Sequence, residues 1–162
     1  LRLRNNHSVF DLTGPSCCEL LGLKELQELH ERLGPDPIRP STSYEEVWRT
    51  IRNSKVPIGK ILLEQRKISG VGNIYRAEAL FATQINPNRQ AKDLEELEFE
   101  RLWDWLVTYM RLGVSSNRII TNAELTKEMM VYGQEKCPRC QRRIEKWDLG
   151  GRKMFACPNC QK

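Results

Sequence analysis

The 162-residue sequence predicts a mostly α-helical domain followed by a small β-hairpin closed by four cysteines. Two observations predict it. Between Leu20 and Leu112, apolar residues recur at helical spacing in stretches separated by proline and glycine stops. Beyond them, Cys137, Cys140, Cys157 and Cys160 form a C-x2-C-x16-C-x2-C array around a Gly150-Gly151 turn signal. Hydrophobic residues at 40% and charged residues at 29% describe a globular chain and exclude a disordered or fibrous one. No run of about 18 apolar residues is present, which excludes a transmembrane helix.

The elements follow in order. Residues 9–13 have strand composition and stop at Gly14-Pro15, as the last strand of something that begins upstream. The chain starts with Leu1 rather than Met and has no apolar signal-peptide region, so it is expected to be part of a longer reading frame. Ser16 with Glu19 fits a capping box that opens a helical pattern through Leu20, Leu21, Leu23, Leu26, Leu29 and Leu33, with Gly22 as a candidate break. Gly34-Pro35-Asp36-Pro37 is a stiff stop, extended by Pro40. Ser43 with Glu46 fits a second capping box, opening a helix with Val47, Trp48 and Ile51 on one face. Pro57 suits the first turn of the next helix, whose apolar face is Ile58, Ile61 and Leu62. The longest helix is expected over residues 94–112, with Leu94, Leu97, Leu102, Trp105, Leu106 and Tyr109 as its buried stripe. Residues 142–148 and 152–156 read as two short strands.

Each C-x-x-C places two thiolates on one tight turn, and two such turns can close a tetrahedral Zn(II) site. Pro138 and Pro158 each follow the first cysteine of a pair and stiffen the two knuckles alike. The expected unit is a zinc ribbon holding one structural ion, because four Cys ligands leave no open position for catalysis. About thirty residues cannot build a core alone, and the metal supplies folding energy. Two disulfides are the alternative, but they need an oxidising compartment that no export signal supports. Cys17 and Cys18 read as core or helix-start residues rather than ligands.

The formal net charge is +5, which as a total says little. Residues 133–162 hold the whole excess, with eight basic and three acidic side chains. Within the neutral remainder, residues 49–76 carry Arg49, Arg52, Lys55, Lys60, Arg66, Lys67 and Arg76 against Glu64 alone. Residues 93–104 carry six acidic side chains against Arg101. A polyanion would meet the two basic zones and avoid the acidic one; solvated helix faces are the bland alternative.

Residues 68–75 join two helices through Gly70-Val71-Gly72, with the second helix starting at about Asn73. Glycine lets the backbone turn with φ > 0 and approach a ligand closely. The free N–H groups at the following helix start point into the turn and suit a phosphate. Asn73 can cap its own helix or donate its amide to that phosphate. A tight helix–helix corner without a ligand is the alternative, weakened by Lys60, Arg66, Lys67 and Arg76 nearby.

The stretch Leu62-Leu63-Glu64-Gln65-Arg66-Lys67-Ile68-Ser69-Gly70-Val71-Gly72-Asn73-Ile74-Tyr75-Arg76-Ala77-Glu78, continued by Phe81 and Ile85-Asn86-Pro87, resembles the helix–two-turns–helix signature of the formamidopyrimidine-DNA glycosylase and endonuclease VIII family. Val131-Tyr132-Gly133, the four cysteines and the ending Cys160-Gln161-Lys162 resemble that family's terminal zinc finger. Arg32 to Pro37 resembles its interdomain segment, and Leu12-Thr13-Gly14-Pro15 the end of its N-terminal β-sandwich. The resemblance divides the chain into residues 1–15 as the end of a truncated β-sandwich domain, 16–132 as the helix–two-turns–helix domain and 133–162 as the zinc finger.

It implies base-excision repair of oxidised bases by a bifunctional DNA glycosylase and AP lyase. In such enzymes an N-terminal proline amine attacks the sugar C1′ to form a Schiff base, and the adjacent glutamate handles protons. No Pro-Glu pair occurs at the start of this chain, so no catalytic residue is assigned and the isolated chain is expected to be inactive. Two roles carry over by motif position. Asn73 corresponds to the turn asparagine and Arg152 to the zinc-finger arginine, both phosphate contacts beside a flipped nucleotide. Gly70, Gly72, Lys60 and Tyr75 complete the expected phosphate-binding set. The expected partner is double-stranded DNA containing damaged bases or abasic sites, met by a monomer in a bacterial cytoplasm, associated with the nucleoid. A non-catalytic damaged-DNA-binding module and a zinc-ribbon RNA-binding protein are the alternatives. Residues 113–132 show no identifiable lesion-reading loop.

Overall fold

The computed structural model describes residues 1–14, 18–122 and 129–162. The chain forms two compact units, Leu1–Arg32 and Leu33–Lys162.

In the first unit, β1 (Arg2–Arg4) pairs antiparallel with β2 (Val9–Asp11), with Leu3 opposite Phe10. The Asn5 side-chain oxygen accepts the His7 and Ser8 N–H groups at 2.8 and 2.7 Å and closes the turn. Helix α1 (Leu23–Glu31) follows. Its start corrects the sequence expectation. Gly22 is not a break inside a helix but sits extended at the N-cap, and Glu19 to Leu21 are non-helical. Glycine's backbone entropy disfavours a helix interior, so the helix begins just after it. Pro15, Ser16 and Cys17 lie outside the described residues, and so does the serine of the expected box. Cys18 is exposed.

The second unit holds the core. Helix α2 (Tyr44–Ile51) buries Val47, Trp48 and Ile51, the face its spacing predicts. Ser43 occupies the N-cap but makes no capping hydrogen bond, so the expected box does not form. Helix α3 (Ile58–Ile61) follows Pro57 and buries Ile58, Ile61 and then Leu62. Helix α4 (Asn73–Ala82) is buried continuously from Arg76 to Phe81, the charged Arg76 and Glu78 included, and packs against α3, α5 and β4. Helix α5 (Glu96–Ser116) starts with a capping box between Glu95 and Glu98 and ends at Asn117 in the left-handed region.

The buried stripe of α5 is Phe99, Leu102, Trp103, Leu106, Met110 and Gly113. Leu102 and Leu106 were expected there. Leu97 was too, yet it is 58% exposed, and Trp105 and Tyr109 are only half-buried. Leu94 is buried, but as extended chain before the helix rather than as its first turn. The helix therefore starts two residues later than expected, with Leu97 on its outer face. Trp48 stacks on Phe99 at 5.4 Å between centroids, joining α2 to α5.

The cysteine-rich end is a hairpin of β3 (Glu145–Asp148) and β4 (Lys153–Ala156), with Trp147 opposite Met154. Gly150 and Gly151, at φ 70° and 74°, make the two-residue turn. Residues 142–144, expected in the first strand, instead flank the knuckle, where Arg143 bridges Lys136. The hairpin is anchored along α4. The Arg139 guanidinium lies 4.4 Å above the Phe81 ring and donates to the Phe81 and Ala82 carbonyls at 3.0 and 3.1 Å. Gln161 donates to the Ile85 carbonyl at 3.0 Å while its side-chain oxygen accepts the Cys157 N–H at 2.8 Å.

Candidate nucleic-acid interface and metal centre

The turn before α4 is built by local rules. Gly70 adopts φ 80°, a left-handed conformation that an L side chain resists. The Gln65 side chain spans the turn, accepting the Gly70 N–H at 2.9 Å and donating to the Val71 carbonyl at 3.1 Å. Gly72 differs from expectation. It is extended (φ −95°, ψ 177°), and a Cβ there would meet nothing within 4 Å, so neither φ nor crowding by the described residues requires glycine at this position. Gly72 is the N-cap of α4. Among the described residues, no protein acceptor takes the N–H groups of Gly72, Asn73 and Ile74. These donors, at the positive end of the helix dipole, are left unclaimed by the described residues.

Asn73 does not cap its helix. Its amide nitrogen donates to the Lys153 carbonyl at 3.0 Å and its oxygen accepts from Arg76 at 2.5 Å. Arg76 is fully buried. One terminal nitrogen donates to the Gly59 and Leu149 carbonyls at 3.1 and 2.8 Å. The other reaches Asn73 and the Arg152 and Lys153 carbonyls, the latter two at 3.4 and 3.3 Å. Burial lowers its pKa to about 10, opposed by Asp148. The turn asparagine and the ribbon arginine, 79 positions apart in sequence, thus meet around one guanidinium.

The Arg152 side chain is exposed at the hairpin tip, and the exposed Lys60 lies beside Gly150, whose built Cβ would come 3.3 Å from Lys60 Cγ. Gly59 allows this approach: a Cβ there would come 2.9 Å from the Leu149 side chain and the Pro87 carbonyl. Gly72, Asn73, Lys60 and Arg152 therefore share the neighbourhood of the turn and the hairpin tip. Tyr75 points elsewhere. Its hydroxyl donates to the Tyr109 carbonyl at 3.3 Å, and its ring packs edge-on against Trp105. It lines a cleft of about 590 Å³ with Asp36, Gly70, Met110 and Asn117.

The four cysteines converge. Their sulfurs all lie within 4.8 Å of one another, with Cys140–Cys157 at 3.5 Å and Cys137–Cys160 at 3.8 Å. A tetrahedron with metal–sulfur bonds of about 2.3 Å needs sulfurs about 3.8 Å apart, so the donor set could hold a metal ion. The Arg142 N–H draws the Cys140 thiol down to about 6, whereas desolvation and the neighbouring sulfurs push Cys160 up to about 12. Four sulfurs this close resist carrying charge together until a cation joins them.

Three groups escaped sequence reasoning, two of them buried charges and the third the exposed Gln65. Arg76 counted only as nearby charge, although its i, i+3 spacing from Asn73 places both on one helix face. Glu78 is fully buried and accepts the Met130, Val131 and Tyr132 N–H groups at 2.7, 2.8 and 2.8 Å. Gln65 had no local signal at all.

The formamidopyrimidine-DNA glycosylase H2TH domain matches residues 33–124. The chain is 36% identical over 164 aligned positions to Endonuclease 8 1 of Mycobacterium tuberculosis, covering 93% of this chain and 61% of that protein. It is 32% identical to the formamidopyrimidine-DNA glycosylase of Streptococcus thermophilus, covering 82% and 52%. Among solved structures, Lactococcus lactis Fpg bound to DNA containing N7-benzyl-Fapy-dG superposes with a TM-score of 0.73 at 28% identity, covering 86% of this chain and 55% of that one. The same protein bound to abasic-site DNA gives 0.70 at 29% identity, again covering 86% and 55%. The chain thus spans between about half and three-fifths of the length of these relatives. With its turn, its ribbon and its cysteine cluster arranged as described, this chain belongs to the formamidopyrimidine-DNA glycosylase/endonuclease VIII family.

Proposed function

We propose that this chain is the DNA-gripping portion of a base-excision-repair DNA glycosylase and AP lyase that acts on oxidised bases in double-stranded DNA. The observation that carries the proposal is the meeting of Asn73 with the Arg152 backbone around Arg76, beside unclaimed N–H groups at the start of α4. One backbone phosphate is cradled by the Gly72–Asn73 turn and Lys60. A neighbouring phosphate is taken by the Arg152 guanidinium, whose planar fork suits bidentate contact. Gripping the backbone on both sides of a lesion stabilises the bent duplex from which a nucleotide is flipped. Gly70 shapes the turn, and Tyr75 holds it against α5.

The ribbon cysteines Cys137, Cys140, Cys157 and Cys160 would hold one zinc ion, which supplies folding energy and no chemistry. Glycosidic cleavage and imine formation belong to the share of the relatives' length that this chain does not match. Residues 1–15, 16–132 and 133–162 serve in this reading as a β-sandwich remnant, the helical DNA-binding domain and the zinc finger, acting as a monomer in the bacterial cytoplasm. Among the described residues no helix is long and apolar enough to cross a membrane.

The test is fluorescence anisotropy with the zinc-loaded chain on three probes: a duplex containing an abasic-site analogue, the undamaged duplex and a structured RNA. Tightest binding to the abasic duplex is expected, with affinity falling linearly in log salt. Borohydride should trap no covalent adduct. Preference for the RNA would overturn the reading, and an adduct formed at the rate of an intact family enzyme would overturn the division of labour.

A further inference from the structure

Arg76 sits where the mechanism so far has no use for it. It is fully buried, and a buried guanidinium ordinarily carries a carboxylate partner. Among the described residues none pairs with it; the ion pairs there are Arg2–Asp11, Lys24–Glu28, Arg89–Glu98 and Lys92–Asp93. Its terminal nitrogens instead collect neutral oxygens from three elements. Gly59 comes from α3, Asn73 from the start of α4, and Leu149, Arg152 and Lys153 from the hairpin tip. Nε is also buried and has no acceptor. A hydrophobic side chain of similar volume would fill this space at lower desolvation cost. What only the planar fork provides is a fixed geometry between the turn and the hairpin.

Resting on the reading that Asn73 and Arg152 grip DNA phosphates, we propose that Arg76 is a positioning residue that couples the two grips into one. It fixes the Asn73 side chain by holding its oxygen, while the amide nitrogen donates to the Lys153 carbonyl, so the start of α4, with its unclaimed Gly72–Ile74 N–H groups, is tied to the hairpin. The same guanidinium holds the carbonyls of Arg152 and Lys153, which sets the direction in which the Arg152 side chain leaves the hairpin. A phosphate bound at one grip therefore finds the other already aligned. No carboxylate among the described residues forms an ion pair with it, and Asp148 acts on it only from beyond hydrogen-bonding reach.

The experiment is a double-mutant cycle on binding to abasic-analogue duplex, using the zinc-loaded 162-residue chain. Asn73→Ala and Arg152→Ala are measured singly and together in backgrounds carrying Arg76, Arg76→Met and Arg76→Lys. With Arg76 present, the double variant should bind at least roughly threefold better than the product of the two single losses predicts, as coupled sites do. In Arg76→Met and Arg76→Lys the losses should multiply. Arg76→Lys should keep the native salt dependence, because it keeps the charge and loses only the fork. Circular dichroism and zinc stoichiometry report folding, and if both Arg76 variants fail to fold the cycle with native Arg76 still decides. If neither single variant weakens binding, the DNA-gripping reading falls together with this one. If each weakens binding and the effects multiply with Arg76 in place, or if coupling persists in Arg76→Met, only the coupling role falls.

Discussion

Replacing Glu78 with Ala removes one carboxylate that holds three consecutive backbone N–H groups at Met130, Val131 and Tyr132. These residues lead into the ribbon, and Val131 is fully buried. Hydrogen bonds to a charged group contribute about 1.5–3 kcal/mol each, and a buried N–H left unpaired costs about 1–3 kcal/mol. Removing the carboxylate also relieves its own burial, which offsets several kcal/mol. The net loss should therefore fall near 3–5 kcal/mol, the range for breaking a buried charged group's contacts.

Glu78→Gln separates the two oxygens. Oε1 serves Val131 and Tyr132, and Oε2 serves Met130. An amide keeps its oxygen on the first pair and turns an NH2 toward the Met130 N–H, so the loss should be about half as large. Urea unfolding of the zinc-loaded chain, followed by tryptophan fluorescence, measures both. With a slope of about 1.5 kcal/mol per molar urea, Glu78→Ala should lower the midpoint by about 2–3 M. A fall below about 0.7 M, or equal losses for Ala and Gln, would refute the assignment of Glu78 as the anchor of this segment.

Other expectations follow from separate contacts. Asn73→Ala and Arg152→Ala should each weaken abasic-duplex binding by about 1–3 kcal/mol, read by anisotropy at fixed salt. Removing zinc with a chelator should abolish that binding and change Trp147 fluorescence, while ellipticity from α2 and α5 persists. Gly59→Ala should destabilise the chain by about 1–3 kcal/mol, because its Cβ meets the Pro87 carbonyl and Leu149 at 2.9 Å; calorimetry checks it.

Glu98 carries a pH signature. Burial pushes its carboxyl up, but the Arg89 side chain at 2.7 Å and the Glu95 N–H at 2.8 Å outweigh that and hold it below the usual range. A depressed folded-state pKa stabilises above the unfolded value, near 4.3, and that stability is lost as pH falls through the folded value. Glu98→Gln should therefore cost about 1 kcal/mol at pH 7 and progressively less as pH falls below the unfolded value, as the difference between thermal unfolding curves.

Much of this fold could be read from local pattern. Val47, Trp48 and Ile51 lie on the buried face their spacing marks, and Gly150-Gly151 turns the hairpin. The four cysteines converge as their spacing requires. What misled was start chemistry. Ser43 occupies a cap it does not use, whereas Glu95 with Glu98 forms a box outside the usual residue types. The site shows the same division. Asn73 and Arg152 stand in motifs, but Arg76 and Glu78 find their partners up to 77 residues away. Only the packed chain reveals why a buried charge belongs there, because each satisfies carbonyls or N–H groups that carry no side-chain signature.

The ribbon touches α4 at both extremities. Arg139 and Gln161 fasten it at the carboxyl end of the helix, and the hairpin tip rests on Arg76 near the amino end. It therefore serves as a splint for that helix. A splint held at two points resists bending in a way a single attachment does not. If the turn grips DNA as proposed, tension from a kinked duplex would pass along α4 into the cysteine cluster instead of fraying the first helical turn. The strength of the proposed grip would then be limited by how firmly the knuckles hold, a whole helix away from the turn.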